Sequence, residues 1–198
     1  MEYEKLTISG IPKKFDVWDL CNYIQPITED MDLEDILYDA LPDECDEDKG
    51  EDAVVIFKYY ESATGVRIIH TPHLQILSLW LSPWAVETDV RLYAALIGAI
   101  LAKHKKAKLY DKYAPLKGLT EDDIRYMISE RKKYIKRLMT TKDEFTMKGI
   151  HAEYILTNDP SYITHLPANL IDSKITALQD IFVKLQWIEN EEEEEEEE

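Results

Sequence analysis

The sequence predicts an α+β fold, with a mostly antiparallel four- to five-stranded sheet packed against a central buried helix and two further amphipathic helices. Short β-branched and aromatic runs are joined by short turns, which is typical of antiparallel neighbours. One long segment is apolar on nearly every side, which is typical of a covered helix. The length of 198 residues suits one domain that needs no disulfide or metal to form a core.

The strands are predicted from apolar runs that end at glycine, proline or polar turns. The run at residues 53–60, Ala-Val-Val-Ile-Phe-Lys-Tyr-Tyr, is β-branched and aromatic, and Glu61–Gly65 forms a turn after it. The segment Phe145–Leu156 is ambiguous, with Ala152–Leu156 as a candidate strand. The predicted sheet strands are Tyr3–Ile8, Val54–Tyr60, Val66–His70, Leu74–Leu81 and, as a fifth, Lys108–Tyr110.

The helices are predicted from apolar residues three or four positions apart and from capping signals. Thr88 is the candidate N-cap of the central helix. Thr120 and Asp123 form a predicted capping box, and Leu119 against Ile124 forms the matching hydrophobic staple. The predicted helices are Phe15–Ile24, Asp32–Leu41, Asp89–Lys105, Thr120–Met139 and Ser173–Ile188.

The charge of the chain is strongly negative. It has 40 Asp and Glu against 23 Lys and Arg, for a net charge of −17. Residues 1–188 are predicted as one domain and residues 189–198 as a disordered poly-Glu tail, since like charges at this density favour a solvated chain. An acidic surface repels phosphate backbones and anionic lipids, so we expect no nucleic-acid or membrane partner and favour a basic protein partner.

The compartment is predicted from the N-terminus, the apolar runs and the cysteines. The N-terminal residues lack a signal peptide's apolar core, and the longest apolar run, Leu92–Ala102, is too short to span a bilayer. Cys21 and Cys45 do not form a disulfide framework. We therefore expect a cytoplasmic protein.

Motifs for catalysis or metal binding are absent from the sequence. It contains no nucleophile elbow, phosphate-binding loop, dinucleotide fingerprint or His-Glu-x-x-His. His70 and His73 are three residues apart, but a zinc site needs three or four converging ligands. The acidic loop does not match a calcium loop, because Cys45 and Ile56 stand where carboxylates are needed. We expect neither enzyme activity nor a cofactor nor a bound metal.

The acidic loop and several aromatic residues are the candidates for partner binding. Acidic residues would steer a basic partner, and aromatic residues would supply buried anchors. The sequence leaves open whether these aromatics belong to an interface or to the core. The candidates are Asp43, Glu44, Asp46, Glu47, Asp48, Glu51, Asp52, Tyr59, Tyr60, Trp84, Tyr110 and Tyr113.

One basic stretch stands out in the predicted helix Thr120–Met139 and just beyond it. We interpret it first as the solvated face of an amphipathic helix, whose apolar face includes Ile128 and Ile135. Pairing with the glutamate tail and contact with nucleic acid are the two alternatives. Its cations are Arg125, Arg131, Lys132, Lys133, Lys136, Arg137 and Lys142.

A short segment carries a resemblance to a known group of proteins. Leu79-Trp80-Leu81-Ser82-Pro83, followed by residues 88–93, places a strand and a proline before a Thr-Asp-capped helix. This resembles the layout of small uncharacterised bacterial α+β proteins, some of them immunity proteins of polymorphic or contact-delivered toxins. The resemblance implies a bacterial binding protein, and it carries over no functional residue.

The leading hypothesis is a non-catalytic protein-binding module with an acidic surface, in its sharpest form an immunity protein that occludes a basic toxin. The first alternative is a small-ligand-binding protein or enzyme, with a pocket around His70, His73 and Tyr110. The second is a structural or assembly factor that acts as a homodimer through an exposed aromatic strand. Monomer and homodimer both fit the sequence.

Overall fold

The computed structural model describes residues 4–23, 36–41, 46–141, 144–150, 153–157 and 183. These residues form an α+β fold, as the sequence predicts, with a seven-stranded antiparallel sheet and a separate two-stranded sheet. The strands are β1 (Glu4–Ser9), β2 (Ile36–Ala40), β3 (Asp52–Lys58), β4 (Val66–Thr71), β5 (Ile76–Leu81), β6 (Lys108–Asp111), β7 (Ala114–Leu116), β8 (Glu144–Lys148) and β9 (Glu153–Thr157). The helices are α1 (Glu87–Lys103) and α2 (Glu121–Thr141), with short 3₁₀ helices at Val17–Tyr23 and Glu47–Lys49.

The larger sheet has the strand order β2-β3-β4-β5-β1-β6-β7. Successive side chains on a strand point to opposite faces, and paired residues share a face. The row that joins His70, Leu77, Ile8 and Leu109 therefore lies on one face. This face is buried with α1 and the Val17–Tyr23 helix in the main hydrophobic core. Tyr93 of α1 donates a hydrogen bond from its hydroxyl to the Leu79 carbonyl, at 3.4 Å.

The opposite face of the sheet is covered at the β3 side by the chain that follows α2. Val55 and Phe57 pack against Ile150, and a guanidinium nitrogen of Arg67 donates to the Gly149 carbonyl at 3.3 Å. Val183 packs against this cluster as well. The sheet is therefore buried on both faces there, which explains why β3 is apolar along nearly its whole length.

Helix α1 begins differently from the predicted arrangement. Thr88 is inside the first turn and does not cap the helix. The N-cap is Val86, whose backbone N–H donates to the Asp89 carboxylate at 3.1 Å. Asp89 is completely buried and also holds the turn before β4, so a tertiary contact selects the first residue of the helix.

Helix α2 begins at the predicted capping box. The Thr120 hydroxyl accepts a hydrogen bond from the Asp123 N–H at 3.2 Å, and the Thr120 N–H donates to the Asp123 carboxylate at 2.8 Å. Leu119 and Ile124 both pack against the main core, as the staple requires. Local sequence alone is enough to specify this helix start, because the capping partners Thr120 and Asp123 lie within four residues of the chain.

Two segments fold as strands where the sequence indicates otherwise. The predicted helix Asp32–Leu41 is wrong over its described part, because residues 36–40 form β2 and pair with β3. Its apolar spacing fits both a helix and a strand, and pairing with β3 selects the strand. The strand β7 was not predicted. It contains Pro115, which is tolerated because β7 lies at the edge of the described sheet.

The C-terminal predictions fall mostly outside the described residues. The ambiguous segment Phe145–Leu156 contributes to the hairpin of β8 and β9, in agreement with a strand at Ala152–Leu156. The predicted helix Ser173–Ile188 and the tail at 189–198 lie outside the description, apart from Val183, which is helical.

Candidate functional site

The acidic loop predicted from the sequence leads into the first residue of β3. Its described part, which we call the acidic turn, comprises Asp46–Asp52. The 3₁₀ helix Glu47–Lys49 forms its centre, and the Glu51 N–H donates to the Asp46 carbonyl at 3.2 Å. Gly50 has a φ of +63°, a conformation that costs glycine little, and this closes the turn.

Some of the acidic groups are used within the turn itself. The Lys49 ammonium lies 2.5 Å from the Asp46 carboxylate and lowers the pKa of Asp46. The Glu51 carboxylate accepts hydrogen bonds from the Thr71 hydroxyl at 3.0 Å and from the Asp46 N–H at 3.3 Å. Asp48 and Asp52 are exposed and remain accessible to a partner. Asp43 and Glu44 lie outside the described residues, and so does the side chain of Glu47.

Tyr59 and Tyr60 follow β3 at the end opposite the acidic turn. Their ring centroids are 4.1 Å apart, and Tyr60 is 52% exposed. Tyr60 has a φ of +57°, a left-handed conformation that is unfavourable for a bulky residue. Hydrogen bonds from Glu61 and Ser62 to the Lys58 carbonyl hold this turn. Such strain at an exposed aromatic residue makes Tyr60 a candidate anchor.

The edge strand β2 carries exposed apolar residues between the acidic turn and Tyr60. Leu37 is 43% exposed and Tyr38 is 44% exposed, and the Tyr38 ring lies 5.2 Å from the Trp18 ring. The sequence analysis does not select these residues, because their apolar spacing predicts a helix over Asp32–Leu41. The run Ile-Leu-Tyr, which has strand-type composition, is the signal that could have identified them. We call the surface formed by β2, Tyr60 and the acidic turn the acidic edge.

The other aromatic candidates lie elsewhere. Trp84 is only 6% exposed and packs edge-on against Tyr134 at 5.6 Å, so it is a core residue. Tyr110 and Tyr113 belong to the β6–β7 hairpin at the other side of the sheet. Four strand spacings separate β3 from β6, which is about 19 Å. Tyr113 is 96% exposed, but it does not share a surface with the acidic turn.

The predicted pocket around His70, His73 and Tyr110 is not formed. Tyr110 pairs with Thr7, which is opposite Ser78 and then Ile69, the neighbour of His70. Since neighbouring residues on a strand point to opposite faces, His70 and Tyr110 are on different sides of the sheet. His73 is exposed in the β4–β5 turn. The three side chains therefore cannot line one cavity.

His70 instead belongs to a buried aromatic cluster with Phe15, Tyr23 and His104. The Phe15 ring lies 5.4 Å from each of the two imidazoles. Burial lowers the pKa of His70, and the Asp52 carboxylate, 4.0 Å away, opposes this effect. Burial and the nearby Lys103 lower the pKa of His104. Both histidines therefore favour the neutral form, which suits a packing role.

The described residues contain no cluster of three or more His, Cys, Asp or Glu side chains arranged to hold a metal ion. Cys21 is a half-buried free thiol, and burial raises its pKa to about 11. The reactive thiolate is therefore disfavoured at neutral pH. Cys45 lies outside the described residues.

A second charged surface lies between α1 and α2, and we call it the basic groove. Its volume is about 620 Å³. Arg91 of α1 faces four cations of α2 across it, and Glu87 is the one acidic residue among the described residues that line it. This concentration of positive charge is unusual in a chain of net charge −17. The α2 cations that line it are Arg125, Lys132, Lys133 and Lys136.

Comparison with known protein families, with curated proteins and with solved structures finds no match for this chain. Within the described part of the chain, no helix is both long enough and apolar enough to cross a membrane.

Proposed function

We propose that this protein is a non-catalytic binding module that uses the acidic edge to capture a basic protein. The observation that carries the proposal is the group of exposed residues at one sheet edge, where Leu37 and Tyr38 flank β2 on its two faces between Tyr60 and the acidic turn. Interfaces commonly combine a few aromatic anchors with a charged rim. From Asp52 to Tyr60 this edge is about 26 Å long, which suits a standard interface of roughly 800 Å² per partner.

The carboxylates and the apolar residues of the acidic edge would act differently on a partner. Asp48 and Asp52 are exposed carboxylates, and such groups accelerate the encounter with a basic surface without adding much affinity. Leu37, Tyr38 and Tyr60 would be desolvated in the complex and would slow its dissociation. The proposed mechanism is occlusion of the partner's surface.

In its sharpest form, the proposal is a bacterial, cytoplasmic immunity protein that blocks a basic toxin. The short resemblance at residues 79–93 supports this form, and the isolated thiol of Cys21 suits a reducing compartment. The partner would be a protein with a cationic active-site or docking surface, because an acidic inhibitor can mimic an anionic substrate there.

The test is capture from a lysate of the source cell at low salt, followed by kinetics with each captured protein. Asp48→Asn/Asp52→Asn should lower the association rate constant at low salt, and Tyr38→Ala/Tyr60→Ala should raise the dissociation rate constant. Asp111→Asn/Asp122→Asn is a charge-matched control, because both residues are exposed and lie away from the acidic edge. A partner whose association is indifferent to salt and to these variants would contradict the proposal.

A homodimer is the second candidate, and the position of β2 favours it. Among the described strands β2 lies at the edge of the sheet, and an edge strand offers backbone groups for pairing with a second copy. Sedimentation velocity distinguishes the candidates. A concentration-dependent dimer that Tyr38→Lys dissociates would assign the acidic edge to self-association.

A further inference from the structure

The basic groove has a specific arrangement of charges along α2. Arg125, Ser129, Lys132 and Lys136 recur at spacings of three and four, so they form one stripe along the helix. This stripe covers eleven helical steps, which is about 16 Å. The groove thus presents a linear cationic surface, which suits an extended anionic chain better than a compact anion.

Part of the positive charge in the groove is balanced by neighbouring acids. Arg91 pairs with Glu87 at 2.8 Å and with Glu121 at 3.7 Å. Arg125 also contacts Glu121, at 3.4 Å, and Lys133 contacts Glu130 at 2.7 Å.

Lys132 and Lys136 complete the stripe one turn apart. Lys132 is exposed, and no carboxylate among the described residues forms an ion pair with it. Like charges four residues apart destabilise a helix by a few tenths of a kcal/mol. An anionic occupant would relieve this repulsion.

The chain itself contains such an occupant, and Val183 is the described residue nearest to it in sequence. Val183 packs against the cluster that contains Ile135 and Leu138, which lie on the buried side of the part of α2 that carries Lys136. Eight residues lead from Val183 to Glu191, and in an extended conformation they span at most about 26–29 Å. The eight consecutive glutamates Glu191–Glu198 therefore begin within that distance of Val183.

We propose that the run Glu191–Glu198 binds in the basic groove of its own chain and pairs with Arg125, Lys132 and Lys136. The groove and the run have opposite charge, and eight extended residues, at most about 26–29 Å, are long enough to cover the stripe of about 16 Å. A tether of this length gives an effective concentration on the order of millimolar, so weak pairs suffice to keep the groove occupied. The tail thereby masks this surface from other anions, a role that is independent of the acidic edge.

The test compares the chain of natural sequence with a variant in which every glutamate from 191 to 198 is replaced by glutamine. The probe is a fluorescent octaglutamate peptide, and its anisotropy is measured at an ionic strength of about 10 mM. We expect the glutamine-tail variant to bind the probe roughly tenfold more tightly than the natural chain, since its groove is no longer occupied. Equal binding by the two chains would overturn the proposal.

Two further variants locate the binding surface. In the glutamine-tail background, Lys132→Gln/Lys136→Gln should lose most of the probe binding, whereas Lys105→Gln/Lys106→Gln should retain it. The control lysines are exposed and lie in the turn after α1, outside the groove. Far-ultraviolet circular dichroism checks that all variants fold. If the two lysine double variants lose the same amount of probe binding, net charge explains the binding without the groove, and the proposal is overturned.

Carbodiimide cross-linking provides a second readout in the natural chain. It joins carboxylates to lysine amines in direct contact, and at low protein concentration the products should link Lys132 or Lys136 to the terminal glutamates. Absence of these intramolecular links would contradict tail binding. Binding of a single-stranded RNA by the glutamine-tail variant, without binding of octaglutamate, would assign the groove to nucleic acid and also overturn the proposal.

Discussion

At the residue scale, Asp89 organises the junction between the β3–β4 turn and α1. One carboxylate oxygen accepts the N–H groups of Ala63, Thr64 and Val86, and the other accepts that of Gly65, all within 3.2 Å. Burial raises the pKa of Asp89, whereas hydrogen bonds from the Ser62 side chain and the backbone lower it. A carboxylate is suited to this position because it accepts several bonds and has no donor to leave unpaired.

We predict that Asp89→Ala lowers the free energy of unfolding by about 3 kcal/mol or more, because several buried N–H groups lose their acceptor. Urea denaturation measures the change. Glu87→Ala is the matched control, since Glu87 lies on the same turn of α1 but is exposed and pairs with Arg91. Its loss should cost less than about 1 kcal/mol. Similar costs for the two variants would contradict the role assigned to Asp89.

The histidines of the buried aromatic cluster determine a second residue-level property, the response to acid. Both imidazoles of this cluster have ring nitrogens that are buried without a hydrogen-bond partner, namely both nitrogens of His70 and Nε2 of His104. Their lowered pKa values mean that the folded chain binds fewer protons than the unfolded chain below about pH 6.5. Stability is therefore lost as the pH falls through this value.

We predict that the free energy of unfolding is smaller at pH 5.5 than at pH 7.5, and that His70→Leu/His104→Leu reduces this difference. Leucine fills a similar volume and cannot take up a proton. Urea denaturation at the two pH values provides the measurement. His73→Gln, at an exposed position, should leave the pH dependence unchanged. An undiminished dependence in the double variant would contradict this explanation.

At the element scale, the two long helices begin for different reasons. The start of α2 is encoded locally by Thr120 and Asp123, within one turn of the chain. The start of α1 depends on Asp89, whose other contacts lie about 25 residues earlier in the sequence. A threonine-aspartate pair is present at both starts, at Thr88-Asp89 and Thr120 with Asp123, so composition alone does not distinguish them.

We predict that Thr120→Ala lowers the free energy of unfolding by about 1 kcal/mol, the usual value for a lost N-cap. Thr88→Ala should change the free energy of unfolding by less than about 0.5 kcal/mol. Thr88 is inside α1, and its hydroxyl donates a long hydrogen bond to the Glu61 carboxylate, at 3.4 Å. Thermal or urea denaturation of the two single variants distinguishes them. A larger loss of unfolding free energy for Thr88→Ala would contradict the N-cap at Val86 and support the N-cap that the sequence predicts at Thr88.

At the scale of the whole molecule, Arg131 joins α2 to parts of the chain that are distant from it in sequence. It is almost fully buried, and its Nε donates to the Ser82 carbonyl at 3.1 Å. Another of its nitrogens lies 3.1 Å from the Glu4 carboxylate, across 127 positions in sequence. The sequence places Arg131 in a basic, solvated run, but the structure uses it to fix α2 against β1 and the loop before α1.

We predict that Arg131→Met lowers the free energy of unfolding by about 3 kcal/mol, since removal of one member leaves the Glu4 carboxylate and the Ser82 carbonyl without their partner. A double-mutant cycle with Glu4→Gln should give a coupling energy of about 0.5–3 kcal/mol. Arg125→Met is the control, because its exposed pair with Glu121 should contribute less than about 1 kcal/mol. Additive effects in the cycle would contradict a direct interaction.

The candidate site was only partly predictable from the sequence. The acidic turn is evident from composition, because its charges are consecutive and remain largely at the surface. Leu37 and Tyr38 were missed, because apolar spacing in a short segment does not separate a helix from an edge strand. Trp84 and Tyr110 could not be assigned to core or surface, since the same side chain suits either and only the neighbouring elements decide.

The sequence by itself determined the α+β class, the main strands, the capped start of α2 and the acidic character of the chain, because each depends on neighbouring residues or on composition. The tertiary structure decided which strand lies beside which, which face each side chain occupies and which charges are buried. Those outcomes depend on contacts between distant residues, such as Asp89 with Gly65 and Arg131 with Glu4. A local pattern carries no information about such partners until the chain brings them together.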